Sequence, residues 1–553
     1  MSIPFQHQFP YFSHDANRSA QTQPNAPKRM VYLDNAATTQ KHENVLAAMH
    51  SYHVDYNANV HRGGYAIAQQ ATNAFEAARA RIATFIGAND AKEVVFTSGT
   101  TEAINVIASG LQERMLSGRE ILIGESEHHA NIVPWQALAK RFGMTIKCLP
   151  LASNGEFTQD TLNSWCAHIT SNTAILAISH VSNVLGNIYP VKVLCAQAAQ
   201  HRAISIVDGT QAPAHIDIDV QRLNCDFYCI SGHKMYAASG IGVLYGKYSQ
   251  LCALHPSKLG GEMISQVSWQ ESEYQLPPMR FEGGTPNIAG AISLAKACEF
   301  IDAHFTAINE HEKKLYDAIL KGLQGISGLS LLGNMQSSTG ILSFVVEGVH
   351  AHDIASALAH YNIAVRAGHH CAMPLMSALG VDGCVRVSLA CYNTLDDIAY
   401  FLSSLSQVLG DITDTGEPHN EVHASDCNSQ PSDILIRDFS AASDWSAKHR
   451  LLLLYSKQLP VLDKTLRNSS SELHGCEASV WLLKHANGQI NAYSDSKVVR
   501  GLLAVLLIKA NERQQSMNAS DYHNYLVQLG LPHYFSEGRR DGMARVISAL
   551  TAY

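Results

Sequence analysis

Short apolar, β-branched runs alternate with helical stretches over residues 30–410, and this alternation constrains the fold more than any other feature of the sequence. The clearest runs are EVVFTSG (93–99), EILIGES (120–126), AILAISH (174–180) and ISIVDG (204–209). Such alternation is typical of an α/β fold, with helices covering a mainly parallel sheet. A smaller α+β unit is predicted to follow, closed by a helix over 395–409 and built from the runs at 340–349, 364–368 and 384–390.

The composition changes abruptly at residues 411–433, which are polar and acidic, contain two prolines and show no periodicity. This is the pattern of a linker. Residues 434–553 are then predicted to form a second globular unit, with amphipathic stretches and one strand-like run, ASVWLL (478–483). Residues 1–28 carry four prolines and no apolar signal-peptide core, so they are predicted to be a polar tail in front of a first unit at 29–410.

The composition also bounds the possible partners. The hydrophobic fraction of 46%, the charged fraction of 16% and the formal charge of −8 describe an ordinary globular chain. They give no reason to expect nucleic acid or a membrane as a partner. Twelve cysteines occur without a CxxC pair, which favours a reducing cytoplasm. The 28 histidines are interpreted as core or surface residues, and no metal site is predicted.

Two segments at the ends of predicted strands carry residues suited to a bound cofactor. Small residues lead directly into a helix at Ser98–Glu102, which favours a phosphate site on Thr100 and Thr101, although a simple helix cap explains the pattern equally well. Asp208 closes an apolar strand, where a buried carboxylate needs a partner. A pyridinium nitrogen would be such a partner and would make the ring an electron sink, whereas a helix cap is the alternative.

Lys234 follows a third apolar run, FYCIS (227–231), with Ser231 and His233 beside it. A Schiff-base lysine needs a lowered pKa, and burial beside cationic groups supplies one. For any single lysine, a surface position is the ordinary alternative. Here, however, Ser231 and His233 offer a phosphate-binding environment close to the amine.

Cys371 lies in RAGHHCAMP (366–374), and the surrounding charges favour a nucleophilic thiolate. Most cysteines are inert buried thiols, but Arg366, His369 and His370 lie within five positions of this one. Pro374 indicates a constrained loop and not the interior of a helix.

The order of these segments resembles that of fold-type I pyridoxal-phosphate enzymes, and the match is close to the SufS/CsdA-type (group II) cysteine desulfurases of the class V aminotransferase family. The resemblance covers roughly 30–410. It rests on YLDNAATTQ (32–40), VHRGGY (60–65), EHHANIVPW (127–135), HVSNVLGN (180–187), SGHKMY (231–236), FEGGTPN (281–287) and RAGHHCAMPLM (366–376).

The resemblance implies a role for each site residue and a pyridoxal 5′-phosphate cofactor. Lys234 would hold the cofactor and move protons, while Cys371 would take sulfur from L-cysteine as a persulfide and leave L-alanine. The implied cofactor contacts are His128 on the ring, Asp208 on its nitrogen, Gln211 on its phenolic oxygen, Thr100, Ser231 and His233 on the phosphate, and Thr285 on the phosphate of the other subunit of a homodimer. The implied substrate contacts are Asn183 and Arg386 on the carboxylate, with Arg366 near the Cys371 loop.

The second unit resembles SufE-type sulfur acceptors, on the order and spacing of LLLLYSKQLPVL (451–462), HGCEASVWL (474–482) and DSKVVRGLLAVLL (495–507). The resemblance implies that Cys476 accepts sulfur from Cys371, although a structural cysteine is the ordinary interpretation of that residue taken alone. A flexible linker of this length has an r.m.s. span of ~25 Å and gives an effective concentration of about millimolar. Transfer within one chain and transfer across a dimer both remain open.

Two other functions share these features. A selenocysteine lyase or a cysteine sulfinate-type lyase would use the same pocket, because sulfur and selenium differ little in size. A sulfur-trafficking scaffold with an inactive first unit belongs to another class, and the presence of Lys234, Asp208, His128 and Cys371 argues against it. The expected destination of the sulfur is iron–sulfur cluster assembly, with thiolated RNA bases and the molybdenum cofactor as alternatives.

Overall fold

The computed structural model describes residues 5–14, 30–336, 338–413, 431–442, 445–468, 470–474, 478–484, 490–511, 517–532, 535 and 537–552. Within this described part, no helix is long and apolar enough to cross a membrane. Nor do the described residues bring together three or more His, Cys, Asp or Glu side chains that could hold a metal ion.

The first unit is built on a sheet of seven strands in the order β2-β8-β7-β6-β5-β3-β4. All neighbours are parallel except for the two pairs that involve β8. The strands of the unit are β1 (Val31–Tyr32), β2 (Val94–Thr97), β3 (Glu120–Gly124), β4 (Thr145–Leu149), β5 (Thr173–Ser179), β6 (Ile204–Asp208), β7 (Phe227–Ser231), β8 (Gly242–Gly246), β9 (Ile264–Val267), β10 (Ser272–Tyr274), β11 (Leu329–Leu332), β12 (Ile341–Val346), β13 (Ile363–Ala364), β14 (Arg366–Gly368) and β15 (Cys384–Ser388).

Helices cover both faces of this sheet. The helices of the unit are α1 (Pro10–His14), α2 (Glu43–Asp55), α3 (Ala66–Phe85), α4 (Thr100–Gly110), α5 (Val133–Phe142), α6 (Gln159–His168), α7 (Val191–Gln200), α8 (Val220–Leu223), α9 (Tyr248–Ala253), α10 (Ile288–Gln324), α11 (Ala351–His360), α12 (Met373–Leu379) and α13 (Leu395–Thr413). Alternate residues of β5 enter different apolar cores, Ile175 on one face and Leu176 on the other. This is why the central strands are apolar at every position.

A smaller antiparallel sheet of four strands, in the order β11-β12-β15-β14, forms the second layer of the first unit. α11 and α13 pack together beside it. The predicted mainly parallel sheet followed by a small α+β unit is therefore confirmed. The long helix α10 connects the large sheet to the small one.

The N-terminal segment 5–14 is packed into the first unit, whereas the sequence predicts a polar tail over 1–28. Phe5, Phe9 and Phe12 are buried, and the ring of Phe9 lies 4.7 Å from that of Tyr392. Gln6 also donates a side-chain hydrogen bond to the Tyr392 carbonyl oxygen at 3.1 Å. Burial of these three aromatic side chains stabilises the packed segment despite the polar residues around them, because each ring buries a large apolar area.

The second unit consists of a two-stranded antiparallel sheet and five helices in its described part. They are α14 (Pro431–Ala441), α15 (Trp445–Ser456), β16 (Val480–Lys484), β17 (Ile490–Ser494), α16 (Lys497–Asn511), α17 (Ala519–Gln528) and α18 (Glu537–Ala552). α16 is buried at nine of its fifteen positions and packs on α15. The first unit ends with α13 at Thr413 and α14 begins at Pro431, so most of the predicted linker lies outside the described residues and stays a prediction.

Candidate active site

The carboxyl ends of three adjacent parallel strands bring the predicted cofactor residues together. The end residue of β5, Ser179, lies beside Asp208 of β6, and Asp208 in turn lies beside Cys229 of β7. β7 ends at Ser231 and a short helical turn then carries Lys234. Ligands of α/β proteins bind at this edge of the sheet.

A cavity of about 310 Å³ lies at this edge. Its walls contain twelve of the residues predicted from the sequence: Thr100, Thr101, His128, Asn183, Asp208, Gln211, Ser231, His233, Lys234, Arg366, Cys371 and Arg386. Two predicted residues are not among them. Thr285 is exposed in the turn before α10, and Cys476 lies outside the described residues.

Hydroxyl groups cluster where α4 begins. The Thr100 backbone N–H donates to Ser231 Oγ at 2.9 Å, and Thr210 Oγ1 donates to Thr100 Oγ1 at 2.7 Å. Gly99 allows this approach, because a methyl group there would stand 3.2 Å from Ser231 Oγ. Free N–H groups at the start of a helix and neighbouring hydroxyls are the donors that a phosphate requires. Thr210 was not predicted, although it follows Asp208 by only two positions.

The backbone around Lys234 is held by the segment that follows β1. The His233 carbonyl oxygen accepts hydrogen bonds from the Thr39 N–H at 2.9 Å and from Thr38 Oγ1 at 3.1 Å. Burial, together with the nearby positive charge of Arg386, lowers the pKa of the Lys234 amine from 10.5 to about 8, and the negative charge of Asp208 partly opposes this shift. A larger fraction of this amine is therefore neutral and nucleophilic at neutral pH.

His128 stands at the wall of the cavity with a fixed ring. Burial lowers the pKa of His128 to about 4, and the positive charge of Lys234 acts in the same direction. Its Nδ1 accepts a hydrogen bond from the Ala130 N–H at 3.1 Å. The ring is therefore neutral at neutral pH and can stack on a flat cofactor ring.

Glu127 fixes the turn that presents His128 and was not predicted. It is buried, and it accepts hydrogen bonds from Asn131 Nδ2 at 2.7 Å and from the Ser179 N–H at 2.8 Å. Burial raises the pKa of this carboxyl to about 8. The sequence does carry a signal, because an acid shortly after the apolar strand β3 needs a partner, just as Asp208 does.

Two arginines converge on one carboxylate beside the cavity. Arg386 donates to Asp34 Oδ1 at 3.1 Å and to the Asn183 carbonyl oxygen at 2.9 Å. Arg366 also donates to Asp34, at 2.9 Å. Arg386 Nε is buried and has no hydrogen-bond partner among the described residues. A buried N–H without a partner is costly, so this donor is suited to a ligand carboxylate. The sequence did not identify Asp34 as the residue that holds both arginines.

Cys371 is exposed on a strained loop at the mouth of the cavity. Both His370 and Cys371 have positive φ angles, 52° and 56°. Hydrogen bonds hold the loop: Asn183 Nδ2 donates to the His370 carbonyl oxygen at 3.0 Å, and the His129 N–H donates to that of Cys371 at 2.7 Å. Strained backbone held in this way is typical of functional sites. The predicted constrained loop is present, and the Asn183 amide contacts it.

Comparison with protein families assigns both units. Residues 31–401 match the model of the aminotransferase class-V family. Residues 433–553 match the model of SufE, described as an Fe-S metabolism associated domain.

Individual relatives agree with the first of these matches. A probable cysteine desulfurase of Halalkalibacterium halodurans is 46% identical over 371 residues, which cover 67% of this chain and 90% of that protein. A probable cysteine desulfurase of Pseudomonas putida is 43% identical over 69% of this chain and 94% of its own length.

Solved structures of cysteine desulfurases have the same fold. That of Thermococcus onnurineus, in its apo form, gives a TM-score of 0.66 at 37% identity and covers 68% of this chain and 94% of that one. Cysteine desulfurase CsdA of Escherichia coli gives a TM-score of 0.65 at 37% identity, over 73% and 97%. The chain therefore belongs to the cysteine desulfurases of the aminotransferase class-V family and carries a SufE-family domain behind that unit.

Proposed function

We propose that this chain converts L-cysteine to L-alanine, takes the sulfur onto Cys371 as a persulfide, and passes it to Cys476 of its own SufE-family domain. The observation that carries the proposal is the shared cavity. Lys234, Arg386 and Cys371 line the same space of about 310 Å³, so one small amino acid could contact an amine, a carboxylate-binding guanidinium and a thiol together.

The residues of the cavity fit pyridoxal 5′-phosphate, on which class V cysteine desulfurases generally depend. The hydroxyl cluster at the start of α4 offers donors to a phosphate, Asp208 is placed to accept from a ring nitrogen, and Lys234 offers a nucleophilic amine. When bound, this cofactor supplies an electron sink for the electron pair released at the substrate Cα. Asp208, whose Oδ1 is held by the Thr210 N–H at 2.9 Å, would keep the ring nitrogen protonated.

Lys234 is proposed to hold the cofactor and then to carry the Cα proton. Proton transfer is efficient when the pKa of the base is near the working pH. A pKa of about 8 meets that condition, whereas the ordinary value of 10.5 does not.

We expect the reactivity of Lys234 toward a small aromatic aldehyde to rise as the pH increases through about 8. The neutral amine is the reactive form, and burial together with Arg386 lowers its pKa from 10.5 to about 8. The measurement is the rate of reductive labelling of cofactor-free protein between about pH 6 and about pH 11, followed by peptide mapping. The labelling rate of Lys192, which is exposed on α7, is the internal control. A midpoint of about 10 for Lys234 would contradict the assignment.

Arg386 is proposed to bind the substrate carboxylate, and Asn183 to support the same site. The guanidinium already bridges Asp34 and the Asn183 carbonyl oxygen, so its plane is fixed, and its buried Nε is left as a free donor. Arg366, more exposed and tied to the same Asp34, would add positive charge at the mouth of the pocket.

Replacing Arg386 with lysine is expected to lower kcat/KM for L-cysteine by about 10- to 100-fold, mainly through KM. The ammonium keeps the charge but loses the fork that grips a carboxylate in two places. Steady-state kinetics with L-cysteine measure the change. The control is Arg222→Lys, in a surface arginine paired with Asp217 and Asp219, and it should leave both constants unchanged. An unchanged KM in Arg386→Lys would exclude the assigned role.

Cys371 is proposed to attack the substrate sulfur as a thiolate. The bond between the substrate Cβ and its sulfur breaks, a bond between that sulfur and Cys371 Sγ forms, and the electron pair left on carbon is protonated to give L-alanine. L-cysteine and the Cys371 thiol thus become L-alanine and a persulfide without an external oxidant. The constrained loop favours this step because it holds Cys371 at the cavity.

Mass spectrometry of the two cysteine peptides after addition of L-cysteine tests the proposal. We expect one extra sulfur atom on the Cys371 peptide first and on the Cys476 peptide later, with one L-alanine released per sulfur. Blocking Cys371 with an alkylating reagent before the substrate is added should prevent both adducts. The appearance of L-alanine with an adduct on neither cysteine would overturn the proposal.

The destination of the sulfur and the quaternary structure are part of the same proposal. The SufE-family match to an Fe-S metabolism associated domain supports delivery to iron–sulfur assembly proteins. A homodimer is proposed in which the exposed Thr285 reaches the phosphate site of the other subunit, and sedimentation of the purified chain would test it. The reducing cytoplasm favoured by the cysteine content remains a prediction.

A further inference from the structure

The carboxylate of Asp353 is wholly buried at the junction between the two units. Asp353 is the third residue of α11 in the small sheet layer of the desulfurase unit. Its Oδ1 accepts a hydrogen bond from Ser496 Oγ at 2.6 Å, and its Oδ2 accepts one from the Lys497 N–H at 2.9 Å. Both donors belong to the SufE-family domain, at the start of α16. The Asp353 side chain of the desulfurase unit thus completes the N-terminal cap of α16 in the SufE-family domain.

The positive charge around this carboxylate comes from three sources. The starts of α11 and α16 both face it, and the N-terminal end of a helix carries partial positive charge. Arg539 of α18, itself nearly buried, adds a guanidinium at 3.4 Å from Oδ1. Burying a charge is costly unless it is matched by hydrogen bonds and opposite charge. Here the hydrogen bonds and the ion pair come from Ser496, Lys497 and Arg539 of the SufE-family domain. Such matching distinguishes a built interface from an incidental contact.

Further contacts surround Asp353. Lys497 Nζ donates to the Ile412 carbonyl oxygen at 3.2 Å, near the end of the last helix of the desulfurase unit. α11 also packs against α15 of the acceptor unit. A single apolar cluster is continuous across the junction, and its members include Ile354, Leu358, Ile412, Leu435, Leu452 and Leu502. In the described residues, the two units are therefore docked through an apolar surface that surrounds the buried Asp353 carboxylate.

This junction contacts the segments that precede the two cysteines in the chain. α11 packs against β14, and a methyl group at Gly368 would stand 3.3 Å from His352 Nε2. Gly368 precedes Cys371 by three positions. On the acceptor side, Arg545 of α18 donates to the His474 carbonyl oxygen at 3.3 Å, two positions before Cys476. α18 therefore connects the Asp353 contact to the segment that leads into Cys476.

We propose that Asp353 is a positioning residue that docks the SufE-family domain on the desulfurase unit of the same chain, so that sulfur passes from Cys371 to Cys476 within one chain. The proposal rests on the desulfurase function proposed above. In the transfer, the Cys476 thiolate attacks the outer sulfur of the Cys371 persulfide. The bond from that sulfur to Cys371 Sγ breaks, Cys371 leaves as a thiolate, and no external oxidant or reductant takes part.

Docking and simple tethering predict different behaviour. A tethered but undocked SufE-family domain moves through the volume that its linker allows. It then reaches Cys371 of its own chain and Cys371 of a neighbouring chain at similar rates. A docked domain is already held against the desulfurase unit of its own chain. This removes the diffusional search for Cys371 and most of the sulfur transfer between chains. Asp353 should therefore control the second half-reaction and not the first.

The first test is a single turnover with L-cysteine, followed by mass analysis of both cysteine peptides in the full-length holoenzyme. Asp353→Asn keeps the shape but turns one acceptor into a donor that faces either the Lys497 N–H or the Ser496 hydroxyl. We expect persulfide formation on Cys371 within about twofold of the parent, and transfer to Cys476 slowed about tenfold or more. Asp317→Asn, in an exposed carboxylate paired with Lys313, is the matched control and should change neither rate.

If Asp353→Asn impairs both persulfide formation on Cys371 and transfer to Cys476, Arg539→Gln is the variant that tests the docking. It removes a charge from the SufE-family domain and leaves the desulfurase unit unchanged. A parent-like transfer rate in Arg539→Gln, or in an Asp353→Asn chain that forms the Cys371 persulfide normally, would overturn the proposal. Absence of persulfide on Cys371 in the parent would instead reject the desulfurase function itself.

A second test needs no sulfur chemistry. A protease site placed within 414–430 allows the two units to be separated by cleavage of the purified protein. At micromolar concentration we expect the cleaved units of the parent to co-elute in size-exclusion chromatography and those of Asp353→Asn to separate. Separation of the parent units would overturn the docking. Mixing chains that lack Cys476 with chains that lack Cys371 should give transfer at least about tenfold slower than in the parent, and equal rates would exclude transfer within one chain.

Discussion

Cys371→Ala is expected to lower L-cysteine desulfuration by about 10³-fold or more, while the binding of the cofactor is retained. The thiol is the only group at the cavity assigned to receive the sulfur, and the loop that carries it is held by Asn183 and His129. Alanine removes the nucleophile but keeps these backbone contacts. The measurement is L-alanine release from L-cysteine, with the visible absorbance of the bound cofactor as a check on the pocket.

Cys148→Ala is the matched control, because Cys148 and Cys371 are the two exposed cysteines in the described part of the chain. Although the residue is exposed, partial desolvation of its thiol and the carboxylate of Glu125 raise the pKa of Cys148 to about 11, so it should not act as a thiolate, and turnover should be unchanged. Parent-like desulfuration in Cys371→Ala would contradict the assigned nucleophile. Retained lysis of selenocysteine in the same variant, with cysteine turnover lost, would favour a selenocysteine lyase.

Lys234→Ala is expected to abolish turnover, with a loss of about 10³-fold or more, and also to remove the absorbance band of the lysine-bound cofactor. The amine is assigned two tasks, covalent attachment of the cofactor and movement of the Cα proton. No second lysine lines the cavity in the described residues. The measurement pairs the visible spectrum of the purified variant with L-alanine release.

The control for Lys234→Ala is Lys192→Ala, in a side chain exposed on α7 far from any assigned role. It should keep both the band and the activity. A parent protein without the band and without turnover after addition of pyridoxal 5′-phosphate would support the alternative of a sulfur-trafficking scaffold. Turnover that survives in Lys234→Ala would remove Lys234 from the mechanism.

Much of the site could be predicted because its residues lie in short contiguous stretches at the ends of strands. Asp208, Lys234 and Cys371 each lie beside an apolar run, and parallel strands bring such ends to one edge of the sheet. Asp34 was missed because its role depends on two arginines more than 300 positions away in the chain. Glu127 carried a sequence signal that was not used, namely an acid close to a buried strand.

The N-terminal segment was predicted wrongly from its composition. Its composition over 1–28 is polar on average, which predicted a tail, yet Phe9 and Phe12 are buried against Tyr392 and Phe5 is buried against Phe300. An average over a window hides three aromatic side chains whose burial depends on a surface formed by distant residues.

Periodicity, turn residues and local motifs are properties of contiguous segments, so they were enough to predict the α/β architecture, the order of the two units and twelve residues that line one cavity. Only the tertiary structure shows which charged side chains pair with one another and where the SufE-family domain contacts the desulfurase unit. Asp34 between Arg366 and Arg386, and Asp353 against Ser496 and Lys497, are contacts between distant segments. Such contacts form only when folding brings distant segments together and packing excludes water, because a buried charge then needs oppositely charged or hydrogen-bonding partners.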